Sequence, residues 1–348
     1  MSNKLLSIIT SVYNGENFIR QAVESIEQCN KDIADQIELV LVNDGSKDNS
    51  QKVIDELCAQ YPNIVSFTKP NGGLASGRQF GYEHASGKYI TFCDQDDHVE
   101  AGYKTFLEWL ERGNGDMLMS NYIQDIDGEK VMDDFIAEDK TYDNRQAGMM
   151  MLNLIDQNVL CTQKELQRSG LVRLRYTVWN CIFSREFLLK NDIKIFQFHS
   201  SEDDMVLTFQ ALHHVDKLLV VKESWYCFVI RQGSLSHSRK YTPNMFEKRM
   251  KQTAWTLDLL KQCNVPQDRF DKFARVMDTQ TALWTFYHES RGAKYANYIQ
   301  VMRRFASLRP FLSATESRVG NCGKIFLPLL KLHFYGLAYW LNKHITKR

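Results

Sequence analysis

Apolar segments and helical segments alternate over the first 93 residues, and no other feature constrains the fold as strongly. Apolar side chains run almost unbroken through each strand-like segment, as in parallel strands buried on both faces. Between these segments, apolar residues recur every three or four positions, which is the period of a helix. The order predicts an α/β fold with a doubly wound, mostly parallel sheet flanked by helices. The predicted strands are residues 5–12, 37–42, 64–67 and 88–93, and the predicted helices span about residues 18–28, 48–57 and 74–85.

Three aspartates, Asp94, Asp96 and Asp97, follow the fourth predicted strand directly. Ligands of open α/β sheets bind beyond the carboxyl ends of the strands, where this turn falls. Carboxylate oxygens suit Mg²⁺ or Mn²⁺ carrying a diphosphate. A solvated acidic turn is the alternative interpretation of the same residues.

Polar residues also follow the other predicted strands at the same edge of the sheet. Asp44 lies between a strand and a helix, where it can accept an N–H from a nucleobase, although Asn-Asp-Gly is also a common tight turn. Gly72 and Gly73 offer backbone N–H groups at a helix start, and Arg78 adds a cation. This chemistry suits a phosphate group.

Four segments in this order and at these distances resemble the family 2 glycosyltransferases of the GT-A fold. They are residues 7–14 (SIITSVYN), 42–48 (VNDGSKD), 71–78 (NGGLASGR) and 92–97 (FCDQDD). The resemblance is strong over residues 4–110 and continues more loosely to about residue 240. It implies a nucleotide-diphosphate sugar donor, a Mg²⁺ or Mn²⁺ cofactor and inverting transfer.

The resemblance also implies roles for individual residues. Nucleobase contacts fall to Tyr13 and Asp44, and ribose and metal contacts fall to Asp94 and Asp96. The remaining donor-site residues are Thr10, Glu16, Gly73 and Arg78. Three positions depart from the family pattern, with Ser11 where proline is usual, Gly77 where alanine is common and Gln79 where asparagine is common.

Three later blocks resemble those of bacterial polysaccharide transferases in the same family: residues 179–185, 201–205 and 226–236. In that family an Asp after a Glu opens a helix and acts as general base, which implies Asp203 here, with Asp204 as the competing candidate. The alternative is that Glu202 and Asp203 simply favour the positive end of a helix dipole. His237 is the best placed of several candidates for a third metal ligand.

The carboxyl-terminal part has a different character. Residues 1–240 are predicted as the GT-A catalytic domain, with a nucleotide-sugar half (1–122) and an acceptor half (123–240). Residues 241–348 are predicted as a helical extension. From residue 290 onwards there are eleven Lys or Arg and one acidic residue, Glu316. The basic, apolar tail (318–348) is too short and too interrupted to span a bilayer and is predicted to lie at a membrane surface, or else to pack as a helix pair on the protein.

The resemblance implies a hexosyltransferase that uses a UDP-linked donor and extends a lipid-linked surface polysaccharide. The alternatives are a sugar-nucleotide pyrophosphorylase, which would need a Gly-rich basic loop after the first strand, and a non-catalytic nucleotide-sugar binding protein. Eight scattered cysteines and an amino terminus unlike a signal peptide predict a cytoplasmic protein at the inner face of the cell membrane. Nucleic acid is not an expected partner, because no binding module accompanies the basic tail.

Overall fold

The computed structural model describes residues 4–156, 159–198, 203–231, 244–292, 294–308 and 321–345. The chain divides into two compact units. The first comprises Met1–Ile155 and Gln163–Ser236, and the second comprises Asp156–Thr162 and His237–Arg348.

Twelve strands and thirteen α-helices lie in the described part of the chain. The strands are β1 (Leu6–Val12), β2 (Ile37–Asn43), β3 (Ile64–Thr68), β4 (Tyr89–Phe92), β5 (His98–Val99), β6 (Met117–Ser120), β7 (Tyr122–Ile126), β8 (Glu129–Asp133), β9 (Lys140–Asp143), β10 (Cys181–Ser184), β11 (Lys217–Val221) and β12 (Tyr226–Ile230). The helices are α1 (Ile19–Cys29), α2 (Ser50–Gln60), α3 (Leu74–His84), α4 (Lys104–Gly113), α5 (Asn144–Ile155), α6 (Gln163–Ser169), α7 (Arg185–Lys190), α8 (Asp203–His214), α9 (Met245–Lys261), α10 (Gln267–Gly292), α11 (Tyr295–Leu308), α12 (Asn321–Lys331) and α13 (Tyr335–Ile345).

Eight strands form the main sheet of the first unit, in the order β3-β2-β1-β4-β10-β6-β11-β9. Strands β3, β2, β1 and β4 are parallel, whereas β10 runs antiparallel between β4 and β6. Every residue of β1 and β2 is buried, because helices cover both faces of the sheet. The predicted α/β class with a mostly parallel sheet is confirmed, and the four amino-terminal strands lie within two residues of their predicted ends.

The parallel register brings the carboxyl ends of three strands together. Val12 at the end of β1 pairs with Asn43 at the end of β2, and Ile9 of β1 pairs with Phe92 at the end of β4. Two backbone hydrogen bonds continue this pairing, from the N–H of Asp44 to the carbonyl of Val12 and from that of Cys93 to the carbonyl of Ile9. The polar residues that follow these strands therefore share one edge of the sheet.

A second sheet of four strands, β5-β12-β7-β8, lies beyond this edge in the same unit. The acidic stretch at residues 123–167 contributes the hairpin of β7 and β8 to this sheet. It also contains β9, α5 and the start of α6, so most of it is regular structure.

Helices make up the second unit. Their core includes buried residues from α10, α11, α12 and α13, namely Leu283, Phe286, Tyr298, Met302, Phe326, Leu327, Leu330, Tyr335 and Ala338. Much of the apolar character of the tail is therefore used in packing α12 and α13 against α10 and α11. Among the described residues, no helix is both long enough and apolar enough to cross a membrane.

Candidate active site

The acidic turn after β4 is held in place by the second sheet. Asp97 is 3% exposed, and its carboxylate accepts hydrogen bonds from the Tyr226 hydroxyl at 2.6 Å and from the Val229 N–H at 2.8 Å. The same Tyr226 hydroxyl accepts the N–H of Asp94 at 3.1 Å. Burial, together with the charges of Asp94 and Asp96, holds the pKa of Asp97 well above its usual range. The third aspartate of the motif therefore supports the turn, while the other two remain partly exposed.

Arg78 on α3 connects this turn to the start of α8. Its guanidinium contacts Asp94 at 2.5 Å, Asp203 at 2.6 Å and Asp204 at 2.5 Å, and its side chain is only 3% exposed. One buried cation thus faces three carboxylates, so the cluster keeps an excess of negative charge. These attractions raise the pKa of Arg78 well above its ordinary value despite the opposing effect of burial. The arrangement places the predicted donor-side and base residues around a single guanidinium.

The two base candidates differ in exposure. The Asp203 side chain is 1% exposed, whereas that of Asp204 is 22% exposed. Burial, reinforced by the charges of Asp203 and Asp94, raises the pKa of Asp204 to about 7 in spite of the attraction of Arg78. A carboxylate with a pKa near neutrality can both accept and return a proton, as general base catalysis requires.

Asp96 lies on the more open side of the turn, where its side chain is 38% exposed. Arg231, just after β12, donates to the backbone carbonyl of Asp96 and lies 3.5 Å from its carboxylate. The guanidinium also lies over the Phe18 ring, 4.9 Å from its centre. Burial and the neighbouring charge of Asp94 raise the pKa of Asp96. Two partly exposed carboxylates that repel each other offer hard oxygen ligands to a divalent cation, so these residues fit the predicted metal.

Asp44 organises the glycine-rich loop before α3. Its buried carboxylate accepts the N–H groups of Gly72 at 3.0 Å and Gly73 at 2.7 Å, and it forms an ion pair with Lys69 at 2.6 Å. Gly73 has φ of +87°, in the left-handed region that glycine adopts without strain. A Cβ at Gly72 would come within 2.4 Å of the Ser76 hydroxyl. Asp44 thus fixes the loop, and Lys69 adds a cation that sequence reasoning missed.

The remaining predicted donor residues come from the segment around the end of β1. Tyr13 is 42% exposed and exchanges two backbone hydrogen bonds with the side chain of Gln95. Glu16 accepts both the backbone N–H and the side-chain amide of Asn49, at 2.9 and 2.7 Å. Thr10 is 1% exposed, and its hydroxyl has no hydrogen-bond partner among the described residues. Tyr13 is therefore the member of this group with the most accessible side chain.

Two of the departures from the family pattern meet in the structure. A Cβ built on Gly77 would lie 2.0 Å from the Ser11 hydroxyl and 2.8 Å from its Cβ. A side chain at position 77 would therefore clash with Ser11 unless one of the two segments moved. The third departure, Gln79, accepts the N–H of Ile195 at 2.7 Å and so ties α3 to the chain before α8.

The structure thus joins Arg78, Asp94, Asp203 and Asp204 directly, and it joins Asp44 to Gly73. Glu202 and His237 lie outside the described residues. Sequence reasoning did not assign Lys69, Gln95 or Tyr226, although Gln95 and Tyr226 stood within segments already singled out. Their contacts span 25 to 132 positions, and no local pattern announces contacts of that range.

A second group of possible metal ligands lies on the small sheet, where His98, Glu100 and Cys227 come within 4.8 Å of one another. Glu100 is already hydrogen-bonded to His98 at 2.7 Å and forms an ion pair with Lys130 at 2.6 Å. Burial and the charge of Glu100 raise the pKa of the Cys227 thiol to about 12. The group is therefore already charge-balanced, and Asp94 and Asp96 remain the better metal candidates.

This fold, with an acidic turn at the carboxyl ends of its parallel strands, is of the GT-A type. The family model "Glycosyl transferase family 2" matches residues 7–169. The matched residues include β1 to β9 and the turn at Asp94.

Two curated proteins are similar in sequence to parts of this chain. Glycosyltransferase GlyA of Streptococcus pneumoniae is 29% identical over 239 residues, covering 66% of this chain and 31% of GlyA. The minor teichoic acid biosynthesis protein GgaB of Bacillus subtilis is 44% identical over 98 residues, covering 28% of this chain and 11% of GgaB. This chain therefore matches less than a third of the length of either relative.

A solved structure extends the likeness in fold beyond the family match. S. aureus TarS 1-349, determined in complex with UDP-GlcNAc, superposes with a TM-score of 0.65 at 15% identity. The superposition covers 98% of this chain and 92% of that one. At this identity the likeness concerns the fold alone.

Proposed function

We propose that this protein is an inverting, metal-dependent glycosyltransferase that moves a hexose from a UDP-linked donor to a hydroxyl group of a growing surface polysaccharide. The single observation that carries the proposal is the Arg78 cluster. It gathers Asp94 from the donor side and Asp203 and Asp204 from the start of α8 within one ion-pair network. A donor-binding edge and a candidate base thus adjoin each other, as a single-displacement transfer requires.

On this proposal, Tyr13 and Asp44 meet the nucleobase, and Thr10, Glu16, Gly73 and Arg78 complete the donor pocket. Arg78 acts by holding Asp94 in place, because its own guanidinium is already surrounded by carboxylates. The UDP-GlcNAc bound by TarS, a structure of similar fold, supports a UDP-linked donor. The teichoic acid role in the name of GgaB supports a cell-surface polymer as acceptor.

Asp94 and Asp96 would hold the Mg²⁺ or Mn²⁺ ion. When bound, the cation supplies positive charge that balances the leaving diphosphate. The chain's own residues perform the rest of the reaction. A carboxylate at the start of α8 takes the proton of the acceptor hydroxyl, a contribution of about 10²–10⁴ in rate.

We propose Asp203 as the general base, with Asp204 as the alternative. The match to the family motif supports Asp203, whereas the greater exposure and the near-neutral pKa support Asp204. Asp203 can act as the base although it is buried in this structure, because catalytic contacts often tighten only when substrates bind. Asp203→Asn and Asp204→Asn separate the two, since only loss of the base should lower kcat while leaving donor binding intact.

Release of UDP from a panel of UDP-hexoses in the presence of Mn²⁺ tests the reaction. We expect hydrolysis or transfer with at least one donor and its loss in Asp96→Ala. Asp35→Ala, an exposed aspartate before β2, serves as the matched control. Full activity of Asp96→Ala, or no activity with any nucleotide sugar, would contradict the proposal.

We further propose that the second unit rests on the cytoplasmic face of the cell membrane, near a lipid-linked acceptor. Exposed apolar side chains on and between α12 and α13 support this, namely Ile325, Leu332, Phe334, Leu337 and Trp340, each about half exposed or more. The exposed cations Lys324, Lys331 and Lys343 accompany them. Aromatic and aliphatic groups enter the headgroup boundary, and each cation near an anionic surface adds about 1 kcal/mol.

Sedimentation with vesicles tests this surface. We expect binding to vesicles that contain phosphatidylglycerol, weaker binding to pure phosphatidylcholine, and a clear loss in Phe334→Ser/Trp340→Ser. Val131→Ser on β8, which is 55% exposed in the first unit, is the matched control. Equal vesicle binding by the double variant and the wild type would contradict the proposal that α12 and α13 contact the membrane.

A further inference from the structure

Gln95 lies between Asp94 and Asp96, and its side chain bonds to the backbone of a distant segment. The N–H of Tyr13 donates to Gln95 Oε1 at 2.9 Å, and Gln95 Nε2 donates to the Tyr13 carbonyl at 3.2 Å. A primary amide carries both a donor and an acceptor, so it can pair with both backbone groups of one residue. The contact joins positions that are 82 residues apart.

The segment after β1 is also held on its other side. The N–H of Asn14 donates to the Ser46 hydroxyl at 3.0 Å, and the N–H of Gly15 donates to the Ser50 hydroxyl at 2.8 Å. These contacts fix the segment to the chain between β2 and α2. Gln95 supplies the complementary contact toward the acidic turn, so Tyr13 is held from both sides.

Gly15 provides the space that this arrangement needs. A Cβ at Gly15 would lie 2.3 Å from Gln95 Oε1 and 2.9 Å from its Cδ. Because glutamine is flexible, such a Cβ would displace the amide rather than the backbone. A residue at position 15 larger than glycine therefore breaks the same pair of hydrogen bonds without changing Gln95 itself.

We propose that Gln95 is a positioning residue for donor binding, because it fixes the distance between Tyr13 and the acidic turn. This inference rests on the proposed function, in which Tyr13 meets the nucleobase and the turn meets the diphosphate. The two ends of the donor would then be bound by segments that one side-chain amide holds in register. Aspartate or serine at this position cannot make both bonds at this reach, and glutamate lacks the donor.

Nucleotide affinity and steady-state kinetics test the role together. We expect Gln95→Ala to weaken UDP binding in the presence of Mn²⁺ by about tenfold, as when the binding-competent arrangement falls to a tenth of the population. The donor KM should rise by a similar factor while kcat changes less than about twofold, because Gln95 does not touch the reacting atoms. Gln95→Glu should likewise raise the donor KM and leave kcat nearly unchanged. Gln28→Ala, which changes an exposed glutamine on α1, is the matched control.

A double-mutant cycle with Gly15→Ala makes the test specific. Gly15→Ala should weaken UDP binding nearly as much as Gln95→Ala, and the double variant should be no weaker than Gln95→Ala alone. Additive losses, or a fall in kcat with unchanged KM, would overturn the inference. If the wild type and Gln95→Ala bind UDP equally well, this inference is overturned but the proposed function is not. If the wild type does not bind UDP, GDP or dTDP, the proposed donor class is overturned, and this inference with it.

Discussion

Replacing Arg78 by glutamine tests the charge balance of the candidate site. Arg78 is the cation of a network with Asp94, Asp203 and Asp204, at distances between 2.5 and 2.6 Å. Glutamine keeps much of the side-chain length and some hydrogen bonding but removes the charge. The variant therefore leaves three carboxylates close together without their common partner.

The expected cost follows from the burial of the arginine. Removing one partner of a buried ion pair costs about 3–5 kcal/mol, because the other charge stays buried and uncompensated. The Arg78 side chain is 3% exposed, so water cannot replace it without rearrangement. Asp94 and Asp204 are about a quarter exposed and can recover some hydration, which favours the lower part of that range. We expect Arg78→Gln to lower the free energy of unfolding by about 3 kcal/mol at pH 7.5.

The cost should depend on pH. Asp204 has a pKa of about 7 in the folded protein, above its ordinary value of 3.8. A carboxyl group whose pKa is higher in the folded state binds its proton more tightly there, so stability falls as the pH rises from about 4 to about 7. Without Arg78 that pKa rises further, and the loss of stability continues above pH 7. The difference between variant and wild type should therefore be larger at about pH 8.5 than at about pH 6.

Urea unfolding followed by tryptophan fluorescence measures these differences, since guanidinium chloride would screen the charges. Arg112→Gln, which changes an exposed arginine on α4, is the matched control and should cost less than about 0.5 kcal/mol. A loss below about 1 kcal/mol in Arg78→Gln, or a loss that is the same at both pH values, would refute the reasoning.

Three further predictions concern other parts of the site. Asp203→Asn should lower kcat by about 10²–10⁴ with little change in UDP affinity, which stopped-assay kinetics and calorimetry check together. Gly77→Ala should lower the free energy of unfolding by about 1–3 kcal/mol in urea, because its Cβ would meet the Ser11 hydroxyl at 2.0 Å. Tyr226→Phe removes the hydroxyl that donates to Asp97 at 2.6 Å. It should cost about 1–3 kcal/mol and raise the KM for Mn²⁺, since the turn loses its support.

The sequence by itself determined the fold class and the edge of the sheet at which the site lies. Unbroken apolar runs specify strands buried on both faces, and parallel pairing then brings their carboxyl ends together. Tyr13, Asp44 and Asp94 could therefore be assigned to one edge from local pattern alone. The antiparallel strand β10 and the second sheet were not predicted, because an apolar run does not indicate the direction of the strand or the strand with which it pairs.

Tertiary structure alone decided how the polar residues divide their roles. Asp94, Asp96 and Asp97 look equivalent in sequence, yet Asp97 is buried against Tyr226 while Asp96 remains partly exposed. Arg78 contacts Asp203 across 125 positions, and that contact exists only because the start of α8 lies beside α3. Periodicity reports which face of an element is apolar over a few turns. The partner of a charged side chain depends instead on where distant elements pack, which is a property of the assembled fold.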